Sequence, residues 1–320
     1  MNPKRAAAID IGTNSVRLLI AQVGLEAEKP ELETLHRIMN ITRLGEGVDE
    51  SDRLKPDAIE RTLRILKSYS KLMRQEAVQG LRLVATSAVR DAANAGEFVD
   101  RVRKVVAAEP EVITGEEEAA LSFLGATYDL DESIPGDGPI LVVDLGGGST
   151  EIIVGREGEI IRSYSADVGC VRMSERFLKG DPPSRRERDE METHIASVLA
   201  PIIAEVEELR PVLMVGLAGT MTTLSGLRQG LDRYDGEAIH HSWLKREDVE
   251  ELYEKLYKIP VKARREMMKL EPGRADVIIG GTAVLLVLLG QLNVGRFLVS
   301  EKDILDGLVI EVAFGRILRK

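Results

Sequence analysis

Cysteine is all but missing from the sequence: Cys170 is the single thiol in 320 residues. A lone thiol rules out an internal disulfide and any cysteine-built metal centre, and it fits a reducing compartment. Aromatic residues are also scarce, at 4%, while apolar residues reach 44%. Cores must then be assembled from Leu, Ile, Val and Ala, a composition that favours layered α/β structure. The N-terminal run Ala6 to Ile11 and the later run Val277 to Leu289 both stop short of the roughly 20 residues a spanning helix needs, and the first turns polar too soon for a signal peptide. Positive charge is in deficit. The 43 Lys and Arg against 53 Asp and Glu leave −10, which argues against non-specific nucleic-acid binding. The four histidines, His36, His194, His240 and His241, show no metal-ligand spacing, and the adjacent pair is expected to project in different directions. These absences leave a cytoplasmic protein with no membrane or nucleic-acid partner.

At 320 residues the chain suits two domains of ordinary size. Ala6 to Ile11 reads as a buried strand, a turn follows at Gly12 to Ser15, and Val16 to Val23 completes a hairpin. A third strand over Thr34 to Asn40, a helix opened by Pro56, a short strand Leu81 to Ala85, a helix Gly96 to Ala108 and a strand Glu111 to Thr114 follow. A helix is expected over Glu116 to Tyr128, then a linker from Asp129 to Gly138. The pattern then restarts, with strands at Pro139 to Val143, Glu151 to Gly155 and Glu159 to Tyr164. A long helix Ser184 to Leu209, a strand Val212 to Val215 and a helix Thr220 to Gln229 come next. The apolar run after Pro272, a strand Arg296 to Ser300 and a helix Asp303 to Leu318 end the chain.

One long-period repeat organises these elements. Val143-Asp-Leu-Gly-Gly-Gly-Ser149 repeats Ile9-Asp-Ile-Gly-Thr-Asn-Ser15, with Asp, Gly and Ser at the same offsets. An aspartate that ends a buried strand, followed by a Gly-rich bend and a hydroxyl, sets a carboxylate beside free backbone N–H groups. Those groups suit phosphate oxygens, and the carboxylate can reach a divalent ion or its water. Either loop alone could be an ordinary hairpin turn. Two copies, each opening an α/β half, point to phosphate.

At these residues the sequence resembles the actin, hexokinase and chaperone-ATPase superfamily and, within it, the exopolyphosphatase and guanosine pentaphosphate phosphohydrolase family. The matching segments are AIDIGTNSVRLLI (Ala8 to Ile20), VATSAVRDAAN (Val84 to Asn94), VITGEEEAALSFLGA (Val112 to Ala126), VVDLGGGSTEIIVG (Val142 to Gly155), DVGCVRMSERF (Asp167 to Phe177), GLAGTMTTL (Gly216 to Leu224) and GRADVIIGG (Gly273 to Gly281). The resemblance implies two actin-like, ribonuclease H-like α/β domains, 1–128 and 129–320, with the active-site cleft between them and the last helix, 303–320, free to pack back on the first. It implies release of orthophosphate from inorganic polyphosphate, guanosine pentaphosphate or both, with Mg²⁺ or Mn²⁺, and by analogy a homodimer. One stretch departs from the family: Ser300 to Gly307, SEKDILDG, has Asp303 and Leu305-Asp306 where the family has Gly and Arg-Glu.

The same resemblance assigns Glu118 as base or water-orienting carboxylate and Arg90 as a phosphate-meeting arginine. Glu116 and Glu117 beside Glu118 could serve only the helix dipole. Asp144 and Glu151 are candidate metal ligands, with Asp10 a third, and Gly146, Gly147, Gly148 and Ser149 candidate phosphate donors. Thr13, Asn14 and Ser15 would clamp. Gly219, Thr220 and Thr222 open a helix whose N-terminus can receive an anion. Arg43, Arg172 and Arg274 are weaker candidates for the cationic patch that a polyanion requires. Arg17 stands where the second copy has Glu151, so the Asp144 loop reads as the catalytic side and the Asp10 loop as the clamp. A small-molecule kinase or a non-enzymatic actin-like module stays open as an alternative.

Overall fold

The computed structural model describes residues 4–24, 31–131 and 138–314. The chain divides into two compact units, Met1–Asp129 with Asp303–Lys320, and Leu130–Lys302. Among the described residues the first unit holds one five-stranded sheet. Its strands are β1 (Lys4–Ile11), β2 (Ser15–Gly24), β3 (Glu31–Ile41), β4 (Gly80–Ala85) and β5 (Glu111–Val112), in the order β3-β2-β1-β4-β5. β1, β2 and β3 pair antiparallel; β1, β4 and β5 pair parallel.

The second unit repeats that order. Its strands are β6 (Ile140–Leu145), β7 (Thr150–Arg156), β8 (Glu159–Ala166), β9 (Leu213–Leu217), β10 (Trp243–Lys245) and β11 (Arg296–Val299), arranged β10-β11-β9-β6-β7-β8. With β10 set aside, the two sheets superpose in sequence order and strand direction. This doubled ribonuclease H-like pattern is the actin-like fold. The edge strand β10, which pairs with β11, is an addition that the residue pattern does not announce.

The first sheet is buried on both faces, as parallel-containing sheets are. Ala7, Ile9, Ile11, Val16, Leu18 and Ile20 pack under helices Pro56–Gln75 and Ala95–Val106. Ala6, Ala8, Leu19 and Ala21 pack under helices Gly115–Thr127 and Ile304–Phe314. Because successive residues of a strand face opposite ways, Asp10 and Arg17 fall on the second of these faces. The two covering helices meet at glycines. A Cβ on Gly125 would lie 1.8 Å from the Asp303 carbonyl oxygen, and one on Gly307 would lie 2.2 Å from that of Leu121. That close approach fixes where Glu118 and Asp303 stand relative to the sheet.

Several elements depart from the reading of the sequence. Short helices Ser87–Arg90, Cys170–Phe177 and Val261–Met267 occupy segments left unassigned, and Arg246–Tyr257 is a full helix. Helix Ile278–Gln291 takes the apolar run, and no helix among the described residues is long and apolar enough to cross a membrane. Residues 132–137 of the expected linker and 315–318 of the expected last helix lie outside the described residues. The adjacent histidines do not diverge. His241 has φ 58°, and this left-handed turn of the backbone stacks its ring on that of His240 at 3.7 Å between centroids.

Candidate active site

Each Asp-x-Gly-x-x-Ser copy closes its hairpin in the same way. Gly12 N donates to Ser15 O at 3.0 Å, and Gly146 N donates to Ser149 O at 3.0 Å. The turn tips are therefore Thr13-Asn14 and Gly147-Gly148. None of the four has positive φ, so neither copy is the primed hairpin turn that Asn and Gly usually signal. Among the described residues the tip amides, on Thr13 and Asn14 and on Gly147 and Gly148, donate to no protein acceptor. Three of the four tip carbonyls are engaged instead. Thr13 O accepts from Gly45 N, Asn14 O from Thr42 N and Arg43 N, and Gly147 O from Val171 N and Arg172 N. With carbonyls turned into the protein, each tip keeps two consecutive N–H donors, the requirement for an anion nest. Asn14 is buried and its Nδ2 has no hydrogen-bond partner.

The second loop is met by another glycine from outside it. Gly169 passes so near that a Cβ there would lie 2.4 Å from both the C and O atoms of Gly147. The following residue, Cys170, donates its N–H to Gly146 O and opens helix Cys170–Phe177 against the loop. Burial pushes the Cys170 thiol up, so it remains neutral. In the first unit the matching support comes from Ser87, whose hydroxyl lies 2.9 Å from that of Thr13. Neither Gly169 nor Ser87 is singled out by the sequence; Ser87 was detectable only as a hydroxyl three residues ahead of Arg90 in the same short helix.

Three residues on from Ser87, Arg90 Nη1 donates to Ile113 O at 2.9 Å and to Glu118 Oε2 at 3.3 Å. The three consecutive glutamates are thereby sorted. Glu117 closes a capping box, taking Thr114 N at 3.0 Å while its own N–H donates to Thr114 Oγ1 at 3.1 Å. Glu116 is exposed. Glu118 turns inward, its side chain 12% exposed, and meets Arg90. The short helix Ser87–Arg90 thus carries one partner of each pair, Thr13–Ser87 and Arg90–Glu118, within the first unit, and Glu118 stands in the unit of the Asp10 loop.

The two aspartates differ sharply in company. Asp10 pairs in register with Arg17, whose Nε and Nη2 reach Asp10 Oδ2 at 2.9 and 2.7 Å. Its Oδ1 is buried with no hydrogen bond. Burial holds the Asp10 carboxyl above its ordinary range, against the pull of Arg17. Asp144 instead pairs in register with Glu151, and both are buried, 6% and 1% exposed. Ser165 Oγ donates to Glu151 Oε1 at 2.8 Å. Residues directly opposite on antiparallel strands share a face, and two carboxylates there repel unless a cation lies with them. Two hard anionic oxygens at one buried position fit a divalent ion such as Mg²⁺. Asp10, with Oδ2 covered by Arg17, can offer one oxygen.

Helix Gly219–Gln229 begins at Ala218, held at φ 70°, ψ 175°, a conformation that side chains other than glycine's rarely tolerate. The Arg274 guanidinium lies flat on Gly219, where a Cβ would sit 1.9 Å from Cζ, and its Nε donates to Glu271 Oε2 at 3.0 Å. Thr220 is buried beside Cys170. A bare cationic patch is not what the site contains. Arg172 lies 3.7 Å from Asp167, Arg43 is close enough to Glu46 to help lower its carboxyl, and Arg274 and Arg90 have the partners given above.

Residues 19–313 match the profile of the Ppx/GppA phosphatase family. The chain belongs to that family. It is 44% identical over 318 residues to exopolyphosphatase 2 of Mycobacterium tuberculosis, with 97% of this chain and 98% of that protein covered. It is 31% identical to the guanosine-5'-triphosphate,3'-diphosphate pyrophosphatase of Vibrio campbellii, over 96% of this chain and 59% of that longer protein. The crystal structure of an exopolyphosphatase from Cytophaga hutchinsonii matches with a TM-score of 0.90 at 26% identity, covering 99% of this chain and 100% of that one.

Proposed function

We propose that the protein is an exopolyphosphatase, which hydrolyses terminal phosphoanhydride bonds of inorganic polyphosphate and releases orthophosphate, with guanosine pentaphosphate as a second substrate. The names of the M. tuberculosis and V. campbellii relatives support these two substrates. The observation that carries the reading is Glu118 held by Arg90 at 3.3 Å, beside a loop with two unengaged amides. Anhydride hydrolysis needs an oriented water, a proton acceptor, and donors for charge on the phosphoryl oxygens.

Glu118 accepts the proton of the attacking water. Arg90 spends only Nη1 on Glu118 and Ile113, and its Nε and Nη2 face a phosphoryl oxygen as a fork. Thr13, Asn14 and Ser15 grip one phosphate, and Gly146, Gly147, Gly148 and Ser149 grip another through N–H and hydroxyl groups. Gly219 and Thr220 supply a helix N-terminus for a further anion. Asp144 and Glu151 would hold Mg²⁺ or Mn²⁺ in the second unit, and Asp10, in the first, has one carboxylate oxygen to offer a divalent ion or its water. A bound divalent ion supplies charge neutralisation on the phosphoryl oxygens. The lone buried Cys170 suits the cytoplasm, where such substrates occur with reduced thiols.

Glu118→Gln keeps shape and contact with Arg90 but removes the base. Orthophosphate release from polyphosphates of defined length should fall about 10³-fold, within the range that general bases contribute, with KM little changed. Activity within tenfold of the unaltered protein would overturn the assignment. Guanosine pentaphosphate and ATP, run in parallel with and without Mg²⁺, rank the substrates.

A further inference from the structure

The segment that departs from the family, Ser300 to Gly307, does more in the structure than end the sheet. Asp303 caps helix Ile304–Phe314: its Oδ1 accepts from Leu305 N at 2.9 Å, and Asp306 Oδ2 accepts from Asp303 N at 3.0 Å. The first bond is an N-cap, and the second brings the Asp306 side chain back to the amide of the capping residue. The same two side chains also reach the sheet. Asp303 Oδ2 is bound by Arg17 Nη1, Asp303 Oδ1 lies 3.7 Å from Arg37 Nη1, and Arg37 Nη2 is bound to Asp306 Oδ2. Asp303 and Asp306 are 5% and 0% exposed. An alternating line of charge, Asp10–Arg17–Asp303–Arg37–Asp306, therefore runs from the phosphate loop to the start of the last helix, all within the first unit.

The geometry decides what Arg17 can do. Its Nε–Nη2 edge covers a single oxygen of Asp10, and its remaining nitrogen, Nη1, is claimed by Asp303. Without Asp303 the fork could turn and take both Asp10 oxygens side by side, the arrangement that Arg and carboxylate prefer. With Asp303 in place Asp10 Oδ1 remains buried and without a hydrogen bond. An unpartnered buried carboxylate oxygen is costly and persists where it has a ligand to serve. Three carboxylates against two guanidiniums also leave the line with one net negative charge, which favours a cation at that oxygen.

We propose that Asp303 is a positioning residue for the phosphate loop: through Arg17 it holds Asp10 with one oxygen free to take a divalent cation or its bound water. The proposal rests on the cation-assisted hydrolase reading above. Asp303 touches no reacting atom; its effect passes through Arg17 and its charge.

The test uses Asp303→Asn, which keeps the cap to Leu305 N and removes the charge. Mn²⁺ binding to the full chain, followed by electron paramagnetic resonance without substrate, should weaken about three- to tenfold, the scale of one partly screened charge nearby. The Mg²⁺ concentration for half-maximal phosphate release should rise by the same factor, with kcat at saturating Mg²⁺ within twofold. Asp10→Asn should produce a similar shift, and the double variant no more than either alone, because both act on one oxygen. Asp303→Glu should restore most of the affinity. Unchanged Mn²⁺ affinity in Asp303→Asn, or additive effects of the two substitutions, overturns the proposal. Should Asp303→Asn not fold, Arg17→Lys asks the same question, since an ammonium cannot hold Asp10 and Asp303 together; an unchanged affinity there also overturns it. If the unaltered protein binds no Mn²⁺, the cation reading itself fails, which separates that failure from this one.

Discussion

At the scale of single residues the site depends on which of several equal-looking side chains is turned inward. Glu116, Glu117 and Glu118 are indistinguishable by position in a first helical turn, where any acid suits the dipole. Only the family resemblance pointed to Glu118. The fold separates them by occupation, because Glu117 is consumed by Thr114 and Glu118 is the one that meets Arg90. Arg90 was legible in the same limited way, through the resemblance alone. Under the proposed mechanism its role depends on shape as well as charge, since Nη1 anchors it to Ile113 O and leaves Nε and Nη2 to meet a phosphoryl oxygen. Arg90→Lys should therefore keep the fold and lose function. Expected are a thermal midpoint within a few degrees of the unaltered protein and a kcat/KM about 10- to 100-fold lower on polyphosphate, the cost of one oriented charged donor pair. A lysine variant with near-normal kcat/KM would show that a point charge suffices there.

At the scale of elements the sequence was most informative where a strand ends in a turn. Both Asp-x-Gly-x-x-Ser copies close as hairpins at the expected residues, and the strands on either side follow their apolar runs. The purpose of the glycines was not legible. Gly147 and Gly148 have no positive φ, and the glycine whose size the packing demands is Gly169, distant in sequence, where a Cβ would strike the backbone of Gly147. Alternation failed on the first sheet because both of its faces are apolar, so the face that holds Asp10 and Arg17 could not be chosen until the last helix was seen to cover it. Helix Arg246–Tyr257 had a readable stripe in Val249, Leu252, Tyr253 and Leu256. Helix Arg185–Leu209 was read correctly from its stripe and from Ser184, and its start carries a pH signature. The Glu187 carboxylate accepts from Ser184 N at 2.6 Å and Ser184 Oγ at 2.7 Å, and from Gly180 N at 2.8 Å and Lys179 N at 2.7 Å. These bonds, the Ser184 amide foremost, hold its pKa down from 4.5 to about 2. A depressed carboxyl contributes stability that is complete above the unfolded pKa and is lost as the pH falls toward the folded value. Glu187→Gln should be less stable by about 1 kcal/mol at neutral pH, allowing for its solvent exposure. Urea midpoints measured across pH should draw together for the two proteins as the pH falls from about 4.5 towards about 2. A gap that stays constant down to pH 3 would assign the loss to packing instead of charge.

At the scale of the whole molecule the chain must bind a polyanion with a net charge of −10. The sequence suggested a compensating cationic patch at Arg43, Arg172 and Arg274. The fold places a carboxylate near each of them, and Arg17 is bound by Asp10 and Asp303. Buried or half-buried guanidiniums need such partners, because an unpaired charge away from water costs more than the site could recover. Under the proposed mechanism the loop contacts to phosphate then come from neutral donors, the tip amides of the two loops and the hydroxyls of Thr13, Ser15 and Ser149, with Arg90 the one guanidinium offered to a phosphoryl oxygen. Short-range donors of this kind have a kinetic consequence. Electrostatic steering speeds association only when the long-range field favours the ligand, and here the net field opposes it. Salt screens that opposition over a Debye length of about 10 Å at 0.1 M. At fixed, saturating Mg²⁺, kcat/KM for long polyphosphate should stay level or rise by up to about threefold as ionic strength increases from low to physiological values. A steered enzyme would fall tenfold or more over the same range. Stopped-flow or initial-rate measurements across a salt series decide between the two, and a steep fall would mean that a local cationic field outweighs the charge of the chain.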